Sequence, residues 1–423
     1  ILESSMINDG IRTALLFLSL SFLSAACSSG SITREEPPKD AALGSEIRAK
    51  QIAWDSLIVD THVDIPYRLS GKMEDISLST EGGDFDYPRA LEGGLNAPFM
   101  SIYVPARHQV IGDAKEFADG MIDMVEGFQE KWPDKFTLAR SVADVQEAFE
   151  EGLIALPMGM ENGAPIEGRL ENLKHFFDRG IRYITLTHSK VNHICDSSYD
   201  SKRKWNGLSP FGRKLIPEMN RLGIMIDISH VSDETFDQVL ELSDAPVIAS
   251  HSSCRAFTPD WERNMSDSMI RRLARNGGVI QIAFGSSFLK EEYRKRFSDR
   301  ARQKEAFLKK NALENNHPSV AKWLKDYNRD LSFLLADVTD VADHIDHVRE
   351  LVGINHVGLG SDFDGVGATT PKDLKDVSQY PNLIQELLER GYSEVDVEKV
   401  LSGNLLRVWA KVEEVAVLGH SND

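Results

Sequence analysis

Short apolar runs, rich in β-branched residues, recur from position 57 onward, separated by stretches with apolar residues every third or fourth position. Eight runs carry the strand pattern: 57–60, 97–104, 154–160, 183–187, 224–229, 247–250, 278–283 and 356–361. The run Ile224-Met225-Ile226-Asp227-Ile228 is apolar on both faces, as expected of a strand covered by helices outside and packed side chains inside. Helical period shows at 142–149 and at 338–351, where Val338, Val341, Ile345 and Val348 form one stripe. Strand and helix patterns in alternation predict βα units around a parallel sheet, and eight of them predict a closed (β/α)8 barrel, the TIM-barrel architecture, over an open sheet. The stretch 289–311 is dense in Lys, Arg and Glu, and it predicts a solvated helical insertion at about 286–335 to which no chemistry is assigned, a plain helical excursion with a lid or a subunit contact as the alternatives.

The N-terminal end has a different pattern. Arg12, the apolar run 14–23 and Ser24-Ala25-Ala26 directly before Cys27 resemble a lipoprotein signal peptide. On this reading residues 1–27 form the leader, Cys27 becomes an acylated N-terminus, 28–45 is a flexible tether, 46–415 is the barrel domain and 416–423 is a tail. The product is then exported, periplasmic or held at the outer membrane, and touches a membrane only through the lipid on Cys27. Composition supports a globular domain, at 41% hydrophobic and 27% charged residues. The formal net charge of −18 speaks against a nucleic-acid partner or an anionic bilayer surface. Three cysteines, of which only Cys195 and Cys254 follow Cys27, imply no disulfide framework.

Rare polar residues fall where the strand patterns end: His62 and Asp64, Glu161, His188, His230, His251 and Asp362. In barrels that rim is where sites are built. Each residue alone has an ordinary explanation. His62 and Asp64 can be a hydrogen-bonded structural pair, Glu161 a turn carboxylate before Gly163, and His230 and His251 satisfied core histidines. Together they read differently. Residues two apart on a strand project to one side, so His62 and Asp64 can reach one ion; His230 and His251 end successive strands about 4.8 Å apart and can share another.

The segments His62-Val63-Asp64-Ile65-Pro66, Gly159-Met160-Glu161-Asn162-Gly163, Leu186-Thr187-His188, Ser229-His230-Val231-Ser232, Ser250-His251-Ser252-Ser253, Arg263-Asn264 and Gly360-Ser361-Asp362-Phe363-Asp364-Gly365 resemble the membrane (renal) dipeptidase family, the M19 metallopeptidases of the amidohydrolase superfamily. The likeness spans roughly residues 50 to 412. It implies a dipeptidase with two Zn2+ per subunit, acting on L,L and also L,D dipeptides through a hydroxide shared by the metals. His62 and Asp64 would bind one zinc, His230 and His251 the other, and Glu161 both. His188 would contact the substrate carbonyl, Arg263 the terminal carboxylate, and Asp362 would handle the proton; Asp364 would be structural. A homodimer is also implied. Vertebrate members carry a Tyr where this chain reads Gly285-Ser286-Ser287-Phe288, so carboxylate recognition is expected to differ. Two other readings stand beside this one: lactam or N-acyl-amino-acid hydrolysis on the same scaffold, and a non-catalytic surface lipoprotein. The His-x-Asp pair and Glu161 disfavour the first, because many such relatives use a His pair and a carboxylated Lys. The complete ligand set disfavours the second.

Overall fold

The computed structural model describes residues 39–315 and 317–420. The expected leader, Cys27 and most of the tether lie outside the described residues. The helix Lys39–Asp55 opens the described chain. Eight strands then form one sheet in chain order: β1 Ile58–Val63, β2 Leu95–Tyr103, β3 Met158–Glu161, β4 Ile181–Thr185, β5 Met225–Asp227, β6 Ile248–Ser252, β7 Val279–Ile282 and β8 Val357–Leu359. Every paired neighbour is parallel. Each of β1, β3, β4 and β6 is buried along its whole length, as the two-sided apolar runs require.

The eight expected runs all become barrel strands, with one internal difference. The run 154–160 is broken at Pro157, which has no N–H to give to a ladder. Ile154–Leu156 pairs instead with Phe136–Leu138 in a small two-stranded sheet, and only Met158–Glu161 joins the barrel. The expected helices occur as Val142–Glu150 and Val338–Val352. The insertion consists of Ser286–Leu289, Glu291–Asn311, Pro318–Leu331 and a short 3-10 turn, Ser332–Leu334.

β1 and β8 are brought together by the segment that follows β8. The Asp362 N–H donates to the His62 carbonyl at 3.1 Å, and the Asp64 N–H donates to the Phe363 carbonyl at 2.9 Å. Beneath this seam lies the buried carboxylate of Asp60. It accepts from the backbone N–H groups of His62 and Ser361, each at 3.0 Å, and from the Tyr380 hydroxyl. Burial pushes its pKa up, against the lowering effect of these donors. A second apolar cluster joins Val59, Phe99, Tyr183, Met225 and Val279 of the strands to Val408, Trp409 and Val412 of the last helix, Asn404–His420. Phe99 stands between Tyr183 and Trp409, with ring centroids 5.4 Å and 5.3 Å away.

Removing one donor from a buried carboxylate leaves an acceptor unsatisfied. Tyr380→Phe should therefore lower the unfolding free energy by about 1–3 kcal/mol in urea titrations. A change within error of zero would show that the hydroxyl adds nothing to the seam.

Candidate active site

The site stands where the strands end. Glu161, the last residue of β3, has its carboxylate inside a ring of imidazoles. Its Oε1 lies 3.0 Å from His230 Nε2, 3.3 Å from His251 Nε2 and 3.6 Å from His188 Nε2, and its Oε2 lies 3.5 Å from His62 Nε2. His62 Nε2 also lies 3.6 Å from Asp64 Oδ2. The Nε2 atoms of His230 and His251 approach to 2.8 Å. All of these side chains are buried except His188, which is partly open. Three donor-atom groups result, each with its atoms within 4.8 Å of one another: His62, Glu161 and His251; Glu161, His188 and His230; His62, Asp64 and Asp362.

His62 and Asp64 meet by a route other than strand alternation. His62 lies within β1, but the chain turns at Asp64 into the helix Ile65–Gly71. Asp64 occupies the position before that helix without capping it, and its buried Oδ1 has no hydrogen-bond partner. The buried Nε2 of His62 has none either. Convergent lone pairs and orphaned buried ligand atoms of this kind suit divalent cations.

Protonation tendencies differ across the cluster. Burial alone would raise the Glu161 pKa, yet the imidazoles of His62, His188, His230 and His251 around it hold it well below the usual carboxylate range. Burial, with Arg263 and the neighbouring imidazoles, pushes His230 and His251 well below the ordinary histidine value, so both stay neutral with free lone pairs. Burial opposes charge on His62, but Tyr183, Glu161 and Asp64 hold its pKa well up. Burial together with Asp64 and Glu161 pushes Asp362 well above its ordinary value, against the pull of His62 and Arg263.

Backbone strain concentrates here. His230, Asp362 and Asn162 have φ of 68°, 63° and 76°, a region that side-chain-bearing residues seldom adopt. Gly365 allows two carboxylates to converge: a Cβ there would come within 2.2 Å of both Asp362 Oδ1 and Asp64 Oδ2.

The family model for membrane dipeptidases, peptidase family M19, matches residues 46–422. The chain belongs to this family. Dipeptidase aclJ of Aspergillus oryzae is 36% identical over 345 residues, which are 79% of this chain and 71% of that protein. Dipeptidase verJ of Clonostachys rogersoniana is 33% identical over 384 residues, 88% of each. Among solved structures, the probable dipeptidase PvdM of Pseudomonas aeruginosa has a TM-score of 0.73 at 27% identity, covering 88% of this chain and 100% of that one. A Rhodobacter sphaeroides metallopeptidase liganded with a phosphinate mimic of the dipeptide L-Ala-D-Ala has a TM-score of 0.69 at 27% identity, covering 85% and 100%. The protein is thus a metallo-dipeptidase of the barrel type, acting on small peptides, with clustered residues able to hold metal.

Within this M19 site, several residues that escape sequence reasoning brace the candidate ligand atoms. The Tyr183 hydroxyl lies 2.8 Å from His62 Nδ1. Asp227 accepts from Ser250 Oγ at 2.6 Å, and Ser250 Oγ lies 2.8 Å from His251 Nδ1. Each arrangement lets the Nδ1–H donate and leaves Nε2 as the lone-pair atom. The Tyr183 ring covers Gly159 so closely that a Cβ there would come within 2.0 Å. Arg263 is not the exposed loop residue that its polar surroundings suggest. It is 3% exposed, donates to Ser252 Oγ at 2.7 Å and to the His251 carbonyl at 2.6 Å, and places Nη2 3.1 Å from His230 Nε2.

A cavity of about 710 Å3 opens over the cluster, and Asp64, Glu161, His188, His230 and Asp362 line it together with Tyr67, Tyr103, Tyr199 and Trp261. Ser287, Phe288, Arg294, Phe297, Ser298 and Arg300 of the insertion also contribute to the lining. The insertion, to which the sequence assigns no chemistry, therefore forms part of the cavity wall. Asp364 also reaches the wall, but its carboxylate is engaged by Arg68 Nε at 2.9 Å and by the Asp84 N–H at 2.7 Å, which fits the expected structural role.

Tyr183→Phe should weaken metal binding about 10- to 100-fold in chelator competition, since it removes the partner that orients His62. Unchanged affinity would show that the hydroxyl does not orient the ring. Burial and the facing Asp364 push the Asp84 pKa up to about 7 from an ordinary 3.8. Between those values the folded chain holds a proton that the unfolded chain has released, so stability falls as pH rises. Asp84→Asn should remove this dependence. Its Tm advantage over the wild type should appear as pH rises past 4 and level off above 7, and parallel Tm–pH curves would contradict the shift.

Proposed function

We propose that the enzyme hydrolyses the peptide bond of dipeptides, L,D as well as L,L, at a centre of two zinc ions. The observation that carries this reading is the single Glu161 carboxylate shared among His62, His188, His230 and His251, with Asp64 and Asp362 alongside. In the proposed assignment His62 and Asp64 hold one ion, His230 and His251 the other, and Glu161 contacts both. Bound there, the ions would polarise the substrate carbonyl and acidify water. Acceptance of a D-residue is supported by the Rhodobacter sphaeroides relative, whose structure holds a mimic of L-Ala-D-Ala.

The chain's own residues supply the remaining work. Asp362 faces the cavity beside His62 and Asp64, placed to take a proton from water and return it to the leaving amine. Burial lowers the His188 pKa against the pull of Glu161, which favours a neutral imidazole whose N–H can donate to the carbonyl oxygen. Arg263, next to the imidazole pair, is assigned the substrate's terminal carboxylate through the N–H groups that Ser252 and the His251 carbonyl leave free. Aromatic side chains around the cavity limit water and leave room for a short peptide.

Two substitutions separate binding from chemistry. Asp362→Asn should keep its metal while kcat falls by about 10²- to 10⁴-fold, the usual contribution of a positioned acid–base group. His251→Ala should lose both bound metal and activity. Elemental analysis beside assays on matched L,L and L,D dipeptides reads both. Full activity in a metal-analysed His251→Ala protein would defeat the ligand assignment, and absence of turnover on every dipeptide would defeat the function.

A further inference from the structure

The cavity wall supplied by the insertion is built around cations and aromatic rings. Arg263, beside the imidazoles, has its guanidinium carbon 5.0 Å from the Phe288 ring centroid. Phe288 packs against Trp261 at 5.2 Å, and the Arg294 guanidinium lies 5.7 Å from the Trp261 ring. The wall therefore continues outward from the group assigned to the terminal carboxylate. Arg294 is already neutralised: its Nη2 donates to Glu291 Oε1 at 2.6 Å within the same helix.

Arg300 differs from it. Two helical turns further along Glu291–Asn311, it lines the same cavity, and among the described residues it forms no ion pair. Its guanidinium carbon rests 4.1 Å from the centroid of Phe297, another cavity residue. Contact with the ring holds the guanidinium in place and no ion pair takes up its N–H groups, an arrangement suited to a carboxylate. Arg263 has meanwhile given one N–H from each of Nη1 and Nη2 to protein oxygens, which limits it to a single carboxylate. A substrate with one carboxylate can be held at Arg263; a second carboxylate finds its counter-charge at Arg300.

We propose that Arg300 is a specificity-determining residue selecting dipeptides whose C-terminal residue bears an acidic side chain, aspartyl or glutamyl. This rests on the dipeptidase reading, with the C-terminal residue lying toward Arg263 and its side chain toward the insertion. The charge-assisted contact should favour the acidic substrate over its amide isostere by about 10- to 100-fold in kcat/KM.

The test compares the zinc-loaded enzyme on Ala-Glu against Ala-Gln and on Ala-Asp against Ala-Asn, in L,L and L,D forms, for wild type, Arg300→Ala and Arg300→Lys. The wild type should prefer the acidic member of each pair. Arg300→Ala should collapse that ratio, chiefly through KM, and Arg300→Lys should restore part of it. Equal kcat/KM for acid and amide in the wild type would overturn the proposal, as would an unchanged ratio in Arg300→Ala. A loss in Arg300→Ala that is equal for both members would instead make Arg300 a general carboxylate anchor, and would likewise overturn it. Turnover of the neutral dipeptides without acid preference refutes only this inference, whereas no turnover of any dipeptide removes the dipeptidase reading with it.

Discussion

A carboxylate buried among imidazoles has to be balanced electrically, and Glu161 imposes that condition on the whole barrel mouth. It sits within 3.6 Å of nitrogen atoms from four histidines carried on or after four different strands. An uncompensated charge in that position would cost several kcal/mol. The surrounding groups are arranged to meet the cost. Two imidazoles, those of His230 and His251, are kept neutral, and the contact of Ser250 with the far nitrogen of His251 points its lone pair inward. Neutral nitrogens and ionised carboxylates facing one point make a receptor for cations.

The barrel supplies rigidity at the places where the backbone is least comfortable. His230 and Asp362 hold left-handed conformations immediately after strands, and the chain around them is tied down from below. Asp227, at the end of β5, accepts backbone N–H groups from Ser229 at 3.0 Å and Ser250 at 2.8 Å. One buried carboxylate thus joins the exits of two neighbouring strands and sets the spacing of the histidines that follow. Asp60 does the corresponding work at β1 and β8. These acids take part in no chemistry, yet the reacting groups keep their positions because of them.

What could be read from the sequence follows from what each residue type advertises. The apolar runs announce strands because strands buried on both faces have little choice of composition, and histidines or acids at their ends stand out against that background. Tyr183, Asp227 and Asp60 lie within the same runs, where a lone polar residue looks like any satisfied core group; only the fold shows which neighbour each one serves. The break at Pro157 was marked by the residue itself but hidden in a continuous apolar stretch. The insertion was silent for another reason. Its Lys, Arg and Glu content is that of a solvated helix, and on most of its surface it is one, while Phe288, Phe297 and Arg300 turn to the cavity without any periodic signal strong enough to separate them. Arg263 was recognisable as a functional candidate, but its burial was not, since its immediate neighbours in sequence are polar.

The seam between β1 and the segment after β8 has a consequence in time as well as in space. It unites His62 and Asp64 with Asp362 and Phe363, two stretches separated by nearly the whole length of the barrel. During synthesis the earlier half of the centre emerges long before the later half exists, so a growing or truncated chain carries loose histidines without a finished pocket. The hydrolytic machinery is completed only when the cylinder shuts, which makes competence for reaction a report on successful folding.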